Sequence, residues 1–206
     1  MSEPEDNISE HEDTSPVARA GEAPDGDLVD AAIRRWGLER PDLDLDAMAV
    51  IARLGRATAY IDAGINARLS EFGLSRSAWD VVASLRRQGE PYRLSPTALY
   101  VGLMRSSGAI THRLRGLERA GLIVRVPDPH DARAMLVQLT PQGVALTDRV
   151  APLHLANERA LLAALDEPEQ RVLANILRKL LIAFESEQPV PPPSGRGGRP
   201  ARPRSP

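Results

Sequence analysis

Residues 95–140 constrain this chain more than any other stretch. They read SPTALYVGLMRSSGAITHRLRGLERAGLIVRVPDPHDARAMLVQLT. Ser95-Pro96 joins a hydroxyl cap to a proline at the first helical position, where the missing N–H costs nothing. Leu99 and Leu103 follow at helical spacing. A second helix opens at Ser106 or Ser107, either of which can cap it, and stops at Gly121. Ile110, Leu114 and Leu117 form its apolar stripe. Residues 122–126 and 135–139 then have strand composition and bracket a charged loop, Pro127 to Arg133. Two short helices followed by a two-stranded hairpin make a winged helix-turn-helix. Such a unit seats one helix in a DNA major groove and a loop on the neighbouring backbone or minor groove.

The second helix carries the chemistry. At about 100° per residue, the face opposite its apolar stripe presents Gly108, His112, Arg115 and Arg119, with Thr111 and Arg105 at the borders. Small residues near its start (Ser106, Ser107, Gly108) allow close approach to phosphates, and a helix N-terminus favours anions. Thr111, His112 and Arg115 reach base edges, arginine to guanine most specifically. In the loop, Asp131 and Arg133 lie two apart, so a carboxylate there would hold the guanidinium forward, towards a narrow minor groove. Without the capped helix before it and the hairpin after it, this face would read as ordinary solvated surface.

Whole-chain charge hides this module. The formal net charge is -2 over 206 residues. Residues 75–140, however, hold ten arginines against five acids, a local net of +5. The chain has no cysteine, which excludes disulfides, thiolate metal sites and thiol redox sensing. Its four histidines (His11, His112, His130, His154) are dispersed, with no pair at metal-ligand spacing. No nucleophile motif or phosphate-cradling glycine loop accompanies them. The expectation is therefore no enzyme, no metal and no cofactor. No apolar run is long enough to span a bilayer and the acidic start is unlike a signal peptide, so a cytoplasmic protein is expected.

Five regions emerge. Residues 1–27 carry nine acids against one base, Arg19, and are expected to be a disordered acidic tail. Residues 28–74 hold a short helix (Asp27 to Trp36, ended by Gly37 and Pro41) and a long one (Asp44 to Leu69). Residues 75–140 form the DNA-binding module, entered by a helix that Ser75 caps and Gly89 stops, with Trp79, Val82 and Leu85 inward. Residues 141–187 hold two more helices. The first starts at Thr140-Pro141, runs towards Leu165 and should kink at Pro152. The second opens at a capping box, Asp166-x-x-Glu169, and bears a wide stripe of Val172/Leu173, Ile176/Leu177, Leu180/Leu181 and Phe184. Residues 188–206, with seven prolines and four arginines, read as a disordered basic tail. The predicted fold is mainly α with a small β-wing, a winged helix-turn-helix whose N- and C-terminal helices form a dimerisation bundle. Those stripes suit a two-fold interface, and an intramolecular bundle satisfies the same periodicity.

Over residues 28–185, and most strongly over 94–143, the sequence resembles the MarR family of dimeric winged-helix regulators. The segments LSPTALYVGLMRSSGAITHRLRGLERAGLI and PDPHDARAMLVQLTPQG carry the likeness, including a D-x-R wing signature at Asp131 and Arg133. The resemblance implies a homodimer on a pseudo-palindromic double-stranded operator, usually as a repressor. It also implies a small ligand, often aromatic, between the dimerisation helices and the DNA-binding module, in a cleft near Leu54, Thr58 and Trp79. From its own position on the helix, Trp79 reads first as a core anchor. Two positions depart from the family's habit: Arg115-Gly116 stands where Asp-Arg is frequent, and Ala132 where a base is frequent. The competing reading of the module is a protein-interaction unit whose basic face binds an acidic partner.

Overall fold

The computed structural model of this chain describes residues 26–104 and 107–187. Among them, seven helices and three strands follow in the order α1 (Leu28–Glu39), α2 (Asp46–Ser70), α3 (Arg76–Arg86), β1 (Arg93–Leu94), α4 (Pro96–Gly102), α5 (Ser107–Arg119), β2 (Ile123–Asp128), β3 (Asp131–Leu139), α6 (Pro141–Leu161) and α7 (Glu167–Glu187). The fold is thus mainly α with a small antiparallel sheet, a winged helix. The two tails lie outside the described residues, except for Gly26 and Asp27.

Local chemistry starts these helices where the sequence says it should. Ser75, Ser95 and Thr140 each have extended backbone and accept a side-chain hydrogen bond from the N–H three residues on. The box at α7 closes reciprocally: Asp166 N donates to Glu169 Oε2 and Glu169 N to Asp166 Oδ1, both at 2.8 Å. Ends were harder to place. α1 passes through Gly37 to Glu39 and stops before Pro41, which disfavours helical backbone at the residue it follows. α6 ends at Leu161 rather than near Leu165, because Gln170 Nε2 takes up the carbonyls of Leu162 and Leu165 and the next helix begins at once. Pro152 lies inside α6.

Two compact units divide at Arg56 and Ala57, within α2. The first contains α1 and the start of α2. There Asp27 caps α1, and the Arg53 guanidinium reaches the carboxylates of Asp27 at 2.8 Å and Asp30 at 2.6 Å. The Asp30 backbone N–H, with Arg53 second among the favourable partners, holds the Asp27 carboxyl below the usual carboxylate range.

The second unit contains the core. Leu69 and Leu74, then Trp79, Val82 and Leu85 of α3, Leu99 of α4, and Ile110, Leu114 and Leu117 of α5 pack with Ile123, Val137, Leu139 and Val150. Burying each such side chain is worth roughly 1.5–3 kcal/mol before chain entropy is counted. The sheet has the order β1-β3-β2, so the expected two-stranded hairpin gains a third strand. β1 is only Arg93 and Leu94, opposite Gln138 and Val137, too short to leave any periodic trace in the sequence. α7 buries none of its residues within the chain.

Candidate nucleic-acid interface

Three buried side chains set the rotation of α5. Ile110, Leu114 and Leu117 face the core, so Gly108, Thr111, His112, Arg115 and Arg119 lie exposed on the opposite side. That is the face read from the sequence. α4, anchored by buried Leu99 and Tyr100, packs against α5 and holds it outward. Arg119 Nε donates to the Arg115 carbonyl at 3.3 Å, and Glu118 pairs with Arg125 of β2 at 3.4 Å. Arg115 itself forms no ion pair among the described residues. Arg105, Ser106 and the side chain of Ser107, also assigned to DNA contact, lie outside the described residues.

The wing differs in detail from the expected loop. β2 extends to Asp128 and β3 begins at Asp131, leaving Pro129 and His130 as the turn. Pairing runs regularly to Pro127 opposite Met135, then jumps to Asp128 opposite Asp131. One step on β2 therefore faces an excess of residues 132–134 on β3, and Arg133 sits at the centre of this bulge. Bulges re-aim side chains at sheet rims. Asp128 Oδ1 accepts the His130 N–H, and Asp131 Oδ1 accepts the Arg133 N–H, each at 2.9 Å. The expectation that Asp131 holds the guanidinium is thus corrected: it holds the backbone. Arg133 remains exposed, with no ion pair among the described residues. A short carboxylate side chain closes a local ring to a nearby amide more readily than it orders a long, solvated guanidinium.

A cavity of about 300 Å³ lies behind α5. Its walls are polar: Asp62 and Asn66 of α2, Arg76 and Asp80 of α3, and Arg113 of α5, with Leu103 and Ile110 as apolar floor. Arg76 pairs with Asp62, and its backbone N–H donates to Asn66 Oδ1 at 3.0 Å. Arg113 Nε is buried with no hydrogen-bond partner among the described residues. Such an atom forfeits its hydration and gains nothing in return.

Leu54, Thr58 and Trp79 do not line this cavity. Leu54 is half-buried and Thr58 exposed, while Trp79 belongs to the core, its ring edge-on to His154 with centroids 5.0 Å apart. The sequence did carry a signal for the polar walls: Asp62/Asn66 and Arg76/Asp80 are i, i+4 pairs flanking apolar stripes.

A helix-turn-helix with an exposed cationic face on its second helix, followed by a bulged hairpin that carries an exposed arginine, defines a winged-helix DNA-binding protein. The MarR family model matches residues 72–134. The chain is 38% identical over 152 residues to the HTH-type transcriptional regulator PecS of Dickeya dadantii, spanning 74% of this chain and 92% of that protein. The chain belongs to the MarR family. Among solved structures, a mutant MarR from E. coli complexed with operator DNA aligns with TM-score 0.61 and 26% identity, over 68% of this chain and 99% of that one. The fold is shared too with AbsC, a MarR family regulator from Streptomyces coelicolor, at TM-score 0.63 and 22% identity over 70% of this chain and 97% of that one. This protein is accordingly a DNA-binding transcriptional regulator, not an enzyme. No helix among the described residues is long and apolar enough to cross a membrane.

Proposed function

We propose that the protein is a homodimeric repressor that grips a pseudo-palindromic operator and releases it on binding a small ligand. In this reading α5 of each copy enters a major groove. Thr111, His112 and Arg115, with Arg105, meet base edges, while Ser106, Ser107 and Gly108 let the helix start approach the phosphates. Arg133 enters the adjacent minor groove from a bulge that Asp131 shapes. Residues 75–140 are the DNA-binding module, and the helices of 28–74 and 141–187 join the two copies. The observation that carries the reading is the outward face of α5: exposed, cationic and fixed in rotation by three buried residues.

Dimerisation is supported by α7, where Val172, Ile176, Leu181 and Phe184 are all more than half exposed in the single chain. An apolar face of that extent is covered in most soluble proteins. Ligand release is supported by the cavity behind α5, a better seat than Leu54, Thr58 and Trp79 because it is open and borders the recognition helix. Its lining fits a small aromatic acid, whose carboxylate would satisfy Arg113 Nε while Asp62 and Asp80 accept from its donors.

A gel shift on an inverted-repeat probe from the upstream region of the protein's own gene tests the reading. Two subunits per site are expected, with affinity falling steeply as salt rises. A folded dimer that shifts no duplex at low salt would rule the regulator out and leave the protein-interaction reading in its place.

A further inference from the structure

The turn between α4 and α5 holds an anomaly. Met104 has φ 49°, in the left-handed region that L side chains avoid. The turn is well tied, since Leu103 N donates to the Leu99 carbonyl at 3.0 Å and Met104 N to the Val101 carbonyl at 3.2 Å. Glycine or asparagine would meet that backbone at lower cost. A bulky residue there is usually repaid by packing, yet the Met104 side chain is 78% exposed. Among the described residues of 75–140, the other exposed large apolar side chains are Val124 and Met135, both near 42%. The remaining exposed apolar groups lie outside the module, on or beside the helices assigned to dimerisation. Neither folding nor solubility favours a methionine at this position.

We propose that Met104 is a DNA-contact residue, its thioether and methylenes packing on a deoxyribose or thymine methyl at the rim of the groove that α5 enters. The inference rests on the assignment of α5 as the recognition helix. Met104 precedes the first residue of α5 by three positions, at the end where helix-turn-helix proteins approach bases and backbone. DNA offers apolar surface there, in sugar edges and thymine methyl groups. A flexible, polarisable side chain adapts to such an irregular surface. Backbone strain retained at an exposed position is then explained by function rather than by stability.

Full-length protein, Met104→Gly and Met104→Leu would be compared by fluorescence anisotropy on the inverted-repeat duplex, from about 50 to about 200 mM salt. Thermal unfolding and sedimentation would be followed in parallel. Met104→Gly should lose about fivefold or more in affinity at every salt concentration, as expected when most of one apolar side chain stays wet. Its salt slope should match wild type, because a neutral contact releases no counterions. Its Tm should be equal or higher, since glycine relieves the positive φ. Met104→Leu should bind within about twofold of wild type, keeping the apolar bulk. Met104→Gly binding as tightly as wild type would overturn the assignment. So would a loss of affinity that appears only with a lower Tm or a dissociated dimer, which would place Met104 in folding or in subunit contact. Wild-type protein that bound no duplex at low salt would overturn the recognition-helix assignment itself, and this inference with it.

Discussion

Gly143 has almost no latitude. A Cβ built on it would overlap the backbone carbonyl oxygen of Leu122 and stand 3.1 Å from Leu139 Cδ2. Its own N–H completes the Thr140 cap at 3.0 Å, and its carbonyl accepts the buried Thr147 hydroxyl at 2.7 Å. Gly143 is what lets α6 start directly against the sheet. Gly143→Ala should therefore lower stability by about 1–3 kcal/mol, the usual cost of overpacking, since backbone cannot swing aside as a side chain can. Gly108 is the contrast, with no neighbour among the described residues within 4 Å of a built Cβ. Gly108→Ala should leave Tm unchanged or slightly higher while weakening DNA binding, because in the proposed reading a phosphate occupies the space the methyl group would fill. Thermal melts of the two variants check both statements. Equal melts for Gly143→Ala and wild type would contradict the close approach.

At the scale of elements, the sequence was legible where a feature is local. Caps at Ser75, Ser95, Thr140 and Asp166 depend on four consecutive residues, and each is realised. The outward face of α5 was legible because its apolar stripe fixes the rotation of everything else on the helix. Long-range pairing was not legible. β1 has two residues and exists only because Arg93 and Leu94 meet β3 across more than forty positions of chain. The bulge at Arg133 depends on register between strands, which composition does not encode. The polar cavity gathers side chains from α2, α3 and α5; the pairs Asp62/Asn66 and Arg76/Asp80 are visible within their own helices, but their meeting with Arg113 is not. α7 poses the sharpest question here, since its apolar stripe was readable but nothing within the single chain buries it. Leu181→Glu, at a position 51% exposed in the single chain, should yield a folded monomer with at least about tenfold weaker operator binding. Sedimentation showing an intact dimer would remove α7 from the interface.

Across the whole molecule, charge is arranged rather than accumulated. A chain of net -2 concentrates +5 in residues 75–140, so positive charge gathers on the winged helix while the protein as a whole stays slightly acidic. In the proposed reading specificity and affinity are divided in the same way: α5 would carry base readout, and the wing would supply a charge whose value depends on groove shape more than on base identity. The most direct test pairs Arg115→Ala with Arg133→Ala, measuring affinity for the operator and for a set of single-base operator variants at several salt concentrations. Arg115→Ala should cost about 1–3 kcal/mol on the operator and flatten preference at particular base pairs. Arg133→Ala should weaken binding to all variants alike and reduce the salt slope by about one per subunit. An Arg133→Ala protein with wild-type affinity and slope, or an Arg115→Ala protein with unchanged base preference, would contradict the account.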